Sequence, residues 1–139
     1  FEWVEPHWIA GVALTLAVLI HIVRSLSRTK LKSMWISISD IRDFINSGGK
    51  VKGGKYSLEQ KLMHHGITFF SLVSLCTGWL MLRKIDTPFW DRNPFIFEAD
   101  TWGIIYVLHG LSTLLFTSSI MMHIYFSLRP EKSHYLHLL

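Results

Sequence analysis

Three segments of the chain are long and apolar, and together they predict the fold. None of them contains Asp, Glu, Lys or Arg; they are Trp8 to Val23, Leu62 to Leu82 and Gly103 to Leu128. A helix needs about 20 apolar residues to cross a bilayer. We therefore predict an all-α transmembrane helical bundle with three spans in one membrane domain over residues 1–139. The expected spans are at about residues 5–27, 60–82 and 102–128.

The segment 28–59, between the first two spans, has a different pattern. Within "KLKSMWISISDIRDFINSGG" (30–49), apolar residues recur at spacings of three and four, at Leu31, Met34, Trp35, Ile38, Ile41, Phe44 and Ile45. This pattern predicts an amphipathic helix that is closed by Gly48–Gly49. We expect this helix to lie on the membrane surface, with docking on a partner subunit as the alternative.

The basic residues predict the orientation of the spans. Of the 14 Lys and Arg residues, most lie in segment 24–61 or after the third span, and loop 83–101 holds only Arg83, Lys84 and Arg92. By the positive-inside rule, loop 28–59 and the C-terminus are cytoplasmic. Five tryptophans then form an aromatic belt at the outer boundary, namely Trp3, Trp8, Trp79, Trp90 and Trp102. Since topology explains the net charge of +4, we expect no nucleic-acid partner.

The first and third spans carry histidines at the same spacing. "PHWIAGVALTLAVLIHIVR" (6–24) contains His7 and His21, and "LHGLSTLLFTSSIMMHIYF" (108–126) contains His109 and His123. This interval of fourteen residues makes nearly four helical turns and rises about 21 Å, so each pair shares one helix face. Because these two spans are parallel, we expect His7 beside His109 and His21 beside His123. Ionisable residues inside a membrane are generally functional.

Imidazoles paired at equal depth are typical of haem held between helices. Two axial histidines complete a six-coordinate iron, which leaves electron transfer as its function. Gly11 and Gly110 give the haem ring room beside its ligands, and Arg24 is positioned for haem propionates. A zinc site would need further ligands at the same depth, and a proton relay does not explain the pairing. We therefore predict two haem b groups with four axial iron ligands, His7, His109, His21 and His123.

The chain resembles the cytochrome b subunits of formate dehydrogenase-N, hydrogenase and thiosulfate reductase. The likeness covers roughly residues 6–130 and rests on "PHWIAG" followed by Arg24, on "GGKYSLEQK" (53–61) and on the histidine motif of the third span. It implies a cytochrome of the cytoplasmic membrane of a prokaryote that contains two b-type haems. Such a subunit passes electrons between an iron–sulfur or multihaem redox subunit of the same complex and menaquinone or ubiquinone.

The resemblance also implies roles for individual residues. His7 and His109 match the ligands of the outer haem, His123 matches one ligand of the inner haem, and Tyr56–Lys61 matches the quinone pocket. Quinone reduction needs proton donors beside a haem edge, so His64 and His65 are added candidates; their alternative is a solvated helix start. The expected quinone residues are Tyr56, Gln60, Lys61, His64 and His65.

Several features depart from that family. Its members have four spans, and the second ligand of the inner haem lies on a span that would precede residue 1. His21 stands where an apolar residue is expected, and Ser57 and Glu59 replace an Asn and a Gly. The partner of His123 is therefore open between His21, a histidine of that preceding span, and His65.

The leading hypothesis is electron transfer across the membrane, with quinone chemistry, as a subunit of an oxidoreductase complex. One alternative is a stand-alone diheme cytochrome that exchanges electrons with small molecules such as ascorbate or superoxide. The other is a haem-free membrane anchor. No catalytic residue is assigned, and whether the chain is itself an enzyme is left open.

Overall fold

The computed structural model describes residues 3–28, 35–47 and 58–128, and most of these are helical. The helices are α1 (Val4–Arg28), α2 (Ile38–Asn46), α3 (Leu58–Met81) and α4 (Ala99–Leu128), with short 3₁₀ turns at Leu82–Lys84 and Pro94–Ile96. Three stretches are long and apolar enough to cross a membrane, namely Val4–Leu26, Leu58–Lys84 and Ala99–Tyr125. The predicted all-α fold with three candidate spans is confirmed.

The α3 and α4 helices form an antiparallel pair that packs closely, whereas α1 touches α3 at only a few places. Small polar residues lie at the α3–α4 contact: the hydroxyls of Ser74 and Thr113 are 2.6 Å apart, and Ser71 and Ser112 are buried. Small residues let helix backbones approach closely where lipid provides no hydrophobic drive for association. Because α1 stands apart, an open space remains between it and the pair.

Residues 82–98 connect α3 to α4, and we call this side of the bundle the hairpin end. Trp90 Nε1 donates to the carbonyl of Leu82 at 3.3 Å, and Trp102 Nε1 donates to the carbonyl of Pro94 at 2.8 Å. Trp102 is only 5% exposed, so it packs inside the hairpin and does not face outward as an aromatic belt would require. The opposite side, which contains α2, is the α2 end.

The α2 helix begins later than the sequence pattern predicts. Trp35 to Ser37 lie outside the helix, and Ser37 is its N-cap in a capping box with Asp40. The carboxylate of Asp40 accepts a hydrogen bond from the backbone N–H of Ser37 at 2.7 Å. Such reciprocal caps define a helix start, which is why the helix begins at Ile38. Leu31, Met34 and Gly48–Gly49 lie outside the described residues.

An ion pair attaches α2 to the start of α3. Lys61 Nζ donates to Asp40 Oδ2 at 2.7 Å and to the carbonyl of Trp35 at 3.2 Å. Lys61 is 7% exposed, while the apolar side chains of Ile38 and Ile45 are exposed. Hydrogen bonds from Lys61 and Ser37 hold the pKa of the Asp40 carboxyl below its usual value. A polar clamp therefore holds α2 and leaves its apolar side chains uncovered by the bundle.

We predict that Asp40→Asn releases α2, because the substitution removes the carboxylate that accepts from both Lys61 and Ser37. Amide hydrogen exchange over residues 38–46 should speed up at neutral pH. Acid should have the same effect on the wild type. The pKa of this carboxyl is lower in the folded protein than in the unfolded chain, so the ionised carboxyl stabilises the fold at pH values above the unfolded pKa. This stabilisation is lost as the pH falls through the folded pKa, below about pH 4.

The matched control for this experiment is Asp43→Asn, an exposed carboxylate of the same helix. It should leave exchange in α2 unchanged. Equal rates of amide hydrogen exchange over residues 38–46 in the two variants would show that the Lys61–Asp40 ion pair does not hold α2.

Candidate functional site

The structure brings His7 and His109 together at the hairpin end of the bundle. Their ring centres are 6.2 Å apart, and the ring planes are nearly perpendicular, at 87°. His7 lies in the first turn of α1, and His109 lies on α4 at the same depth, as expected for two parallel helices with matched spacing. Two imidazoles bound to opposite sides of one metal ion, each with a bond of about 2.0 Å, have centres about 6 Å apart. The observed separation therefore fits a shared metal.

Hydrogen bonds to α3 fix the orientation of His109. Its Nδ1 lies 3.0 Å from the carbonyl oxygen of Ser74 and 3.0 Å from Thr77 Oγ1. The Thr77 hydroxyl donates its own hydrogen to the carbonyl of Val73 at 2.7 Å, so its oxygen accepts from His109. Both neighbours of Nδ1 are thus acceptors, which assigns the proton to Nδ1. The lone pair of Nε2 is then free to bind a metal.

The His109 ring rests directly on Gly78 of α3. A Cβ atom at position 78 would lie 3.2 Å from His109 Cε1, closer than nine in ten real Cβ contacts. Sequence analysis missed Gly78, Thr77 and Ser74, although their shared helix face is a recognisable small-residue pattern. Gly110 was predicted to give room to the haem ring, and a Cβ there would meet nothing within 4 Å, so that role stays a prediction. The glycine that admits the His109 imidazole is on the neighbouring helix.

A cavity of about 660 Å³ separates α1 from the α3–α4 pair and contains both imidazoles in its wall. Most of its lining is apolar or aromatic, including Trp8, Leu14, Leu75, Trp79, Tyr106 and Phe116. Gly11 also lines it and faces open space. Cavities of about 300–1,000 Å³ with a few polar groups are typical of cofactor sites. This space suits a large, mostly apolar ligand.

The donor set distinguishes such a ligand from a bare metal ion. Among the described residues, no group of three or more His, Cys, Asp or Glu side chains is placed to hold a metal. A protein zinc site needs three or four such ligands, whereas an iron that a macrocycle already holds needs only two axial ones. His7 and His109 beside this cavity therefore fit a haem.

Other histidines gather at the α2 end. The rings of His64 and His65 have centres 5.8 Å apart, and His21 lies close enough to His64 for an electrostatic interaction. His64 is half-buried, whereas His21, His65 and His123 are exposed. The pairing of His21 with His123 stays a prediction. For His21 the structure shows an electrostatic interaction with His64, on α3.

The remaining predicted residues lie at this same end but are not all available to a ligand. Gln60 and Arg24 are exposed, while the Lys61 ammonium is buried and bonded to Asp40 and Trp35. Lys61 therefore holds α2 in place, a role that sequence reasoning did not foresee. Tyr56 lies outside the described residues.

Comparison with known proteins identifies the family. The sequence model of the prokaryotic cytochrome b561 family matches residues 1–135, nearly the whole chain. No curated protein and no solved structure matches the chain. The family is one of membrane proteins that bind b-type haem, which agrees with three candidate spans and with two imidazoles facing one cavity. The chain belongs to the prokaryotic cytochrome b561 family and is a transmembrane b-type cytochrome of electron transfer.

Proposed function

We propose that this cytochrome is the diheme subunit of a respiratory oxidoreductase of the formate dehydrogenase, hydrogenase or thiosulfate reductase type. It passes electrons between an iron–sulfur or multihaem partner subunit at the hairpin end and menaquinone or ubiquinone at the α2 end. The hairpin end faces outward, and the α2 end faces the cytoplasm of a prokaryote. The His7–His109 pair, with ring centres 6.2 Å apart in the wall of one cavity, carries the proposal.

At the hairpin end, His7 and His109 would hold the iron of the first haem. This haem supplies a one-electron carrier. The N–H of His109 Nδ1 donates to Ser74 and Thr77, which orients the imidazole and raises the basicity of Nε2. With both histidines bound to its iron, the haem would transfer electrons and would not bind oxygen.

At the α2 end, His21 and His123 would hold the second haem. The support is the repeated fourteen-residue interval on two parallel helices, which places both side chains about 21 Å beyond the first pair. Arg24 is positioned for the propionates of that haem. The observed proximity of His21 to His64 keeps α3 as a competing source of the second ligand.

The quinone site would lie beside these residues, lined by Tyr56, Gln60, Lys61, His64 and His65. Imidazoles at the water boundary can deliver the protons that quinone reduction consumes. His64 and His65 are in ring contact, so one can resupply the other. Lys61 would act here by holding α2 beside the site through Asp40.

Haem counts of purified variants test the two-haem arrangement. His109→Ala should remove one haem per chain, and His123→Ala should remove the other, because each loses an axial ligand. His21→Ala should match His123→Ala in haem content if these residues form a pair. The measurement is the ratio of haem to protein together with the reduced spectrum. Full haem content in His109→Ala would contradict the hairpin-end site.

Substitutions at two glycines of α3 test whether haem binding depends on the contact between His109 and this helix. Gly78→Ala places a methyl group 3.2 Å from His109 Cε1 and should weaken haem binding by about tenfold, since moving a metal-binding histidine away from its hydrogen-bond partners costs about that much. The control is Gly66→Ala on the same helix, where a Cβ meets nothing within 4 Å. Equal haem affinity in both variants, measured by titration, would show that the contact of His109 with Gly78 is unimportant.

Quinol-dependent haem reduction tests the site at the α2 end. Gln60→Ala and His65→Ala should each slow this reaction, for His65 by about 100-fold if it accepts the protons that quinol oxidation releases. Reduction by dithionite should stay normal, which shows that the haems are intact. If neither variant changes the rate with quinol, the quinone binds elsewhere.

A further inference from the structure

One cation lines the cavity that contains His7 and His109. Lys84 is the only Lys, Arg, Asp or Glu among the described residues of its wall. It ends the 3₁₀ turn Leu82–Lys84, which follows α3 directly at the hairpin end. It is half-buried. An ammonium in a mostly apolar wall is costly unless an anion compensates it.

The protein holds this ammonium in place with aromatic rings. Lys84 Nζ lies 4.8 Å from the ring centre of Trp102 and 4.8 Å from that of Tyr106. Trp102 is itself buried and fixed by its hydrogen bond to Pro94. Cation–π contacts stabilise the charge without neutralising it. In the described part of the chain, no carboxylate forms an ion pair with Lys84.

The depth of Lys84 relative to the imidazoles suits one particular anion. His109 meets α3 at Gly78, and Lys84 follows six residues later, which is about 10 Å along the axis. A haem whose iron lies between His7 and His109 would extend its two carboxylate arms about that far from its centre. The charge is therefore positioned where one edge of the macrocycle reaches the hairpin end.

We propose that Lys84 binds a propionate carboxylate of the haem held by His7 and His109. This inference rests on the hairpin-end haem of the proposed function. The contact directs the propionates towards the hairpin end and stabilises the reduced haem, because reduction removes one positive charge and a nearby cation favours the less positive state. Lys84 is a positioning residue in this role.

The neighbouring Arg83 provides the matched control. Its guanidinium lies over the ring of Trp90, 5.4 Å from the ring centre, and Arg83 is not part of the cavity wall. Lys84→Gln and Arg83→Gln remove the same charge from adjacent positions in the same turn. Only Lys84→Gln should affect the haem.

Potentiometric titration of the full-length holoprotein gives the first measurement. The hairpin-end haem is identified as the component missing from His109→Ala. For that haem, Lys84→Gln should lower the ratio of reduced to oxidised form about tenfold at a given potential, a shift of about 59 mV. Arg83→Gln should leave the ratio within twofold of wild type, and Lys84→Arg should retain the wild-type value. Identical midpoints for Lys84→Gln and wild type would overturn the proposal.

Reconstitution of the haem-depleted full chain separates a carboxylate contact from a merely structural one. Haem and haem dimethyl ester, whose carboxylates are blocked, are each titrated into wild type and Lys84→Gln. The substitution should weaken haem binding about tenfold and leave binding of the ester unchanged. Equal weakening for both ligands would overturn the proposal, because Lys84 would then support only the hairpin. If His109→Ala retains both haems, the haem site itself is wrong, and that result is distinguishable from either Lys84 outcome.

Discussion

The hydrogen bond from His109 to α3 is the interaction on which the site depends. A single imidazole on α4 donates from Nδ1 to Ser74 and Thr77 and lies against Gly78. This arrangement fixes the ring, assigns its tautomer and leaves Nε2 without a proton. It also explains why small polar residues lie at the α3–α4 contact, where a larger side chain would displace the His109 imidazole.

The loose packing of α1 is the second constraint. None of the described residues of its candidate span is buried inside the protein. The hydrogen bond from Trp79 Nε1 to Thr15 at 3.0 Å ties α1 to α3. Such a helix leaves apolar surface that a flat, apolar ligand can cover. A haem in this space would contact all three spans and would therefore help to hold the bundle together. Among the described residues, few apolar side chains are buried by the protein alone, which agrees with this view.

The sequence predicts the spans well because their signal is local: about 20 apolar residues are sufficient evidence for each. The meeting of His7 with His109 is also predictable, since helical rise and parallel direction fix the depth of each residue. Gly78 and Thr77 were missed because their role depends on a ring from another helix. Lys61 was assigned to quinone binding from a motif, yet its partner Asp40 lies 21 residues earlier, and only the folded chain brings them together.

The start of α2 shows the same limit in a different form. Hydrophobic spacing runs through Leu31 and Met34, so periodicity alone extends the helix too far towards its N-terminus. The capping box of Ser37 and Asp40 is a local signal that takes precedence over this spacing. A side chain that satisfies the first free N–H groups of a helix fixes the residue at which the helix begins.

The central claim is that His7 and His109, whose ring planes lie 87° apart, bind one haem iron. Electron paramagnetic resonance of the oxidised, full-length protein measures this arrangement directly, because the angle between two axial imidazoles controls the anisotropy of low-spin ferric haem. Perpendicular rings predict a highly anisotropic low-spin signal that is absent from His109→Ala. A signal typical of parallel imidazoles, or one that persists unchanged in His109→Ala, would contradict the claim.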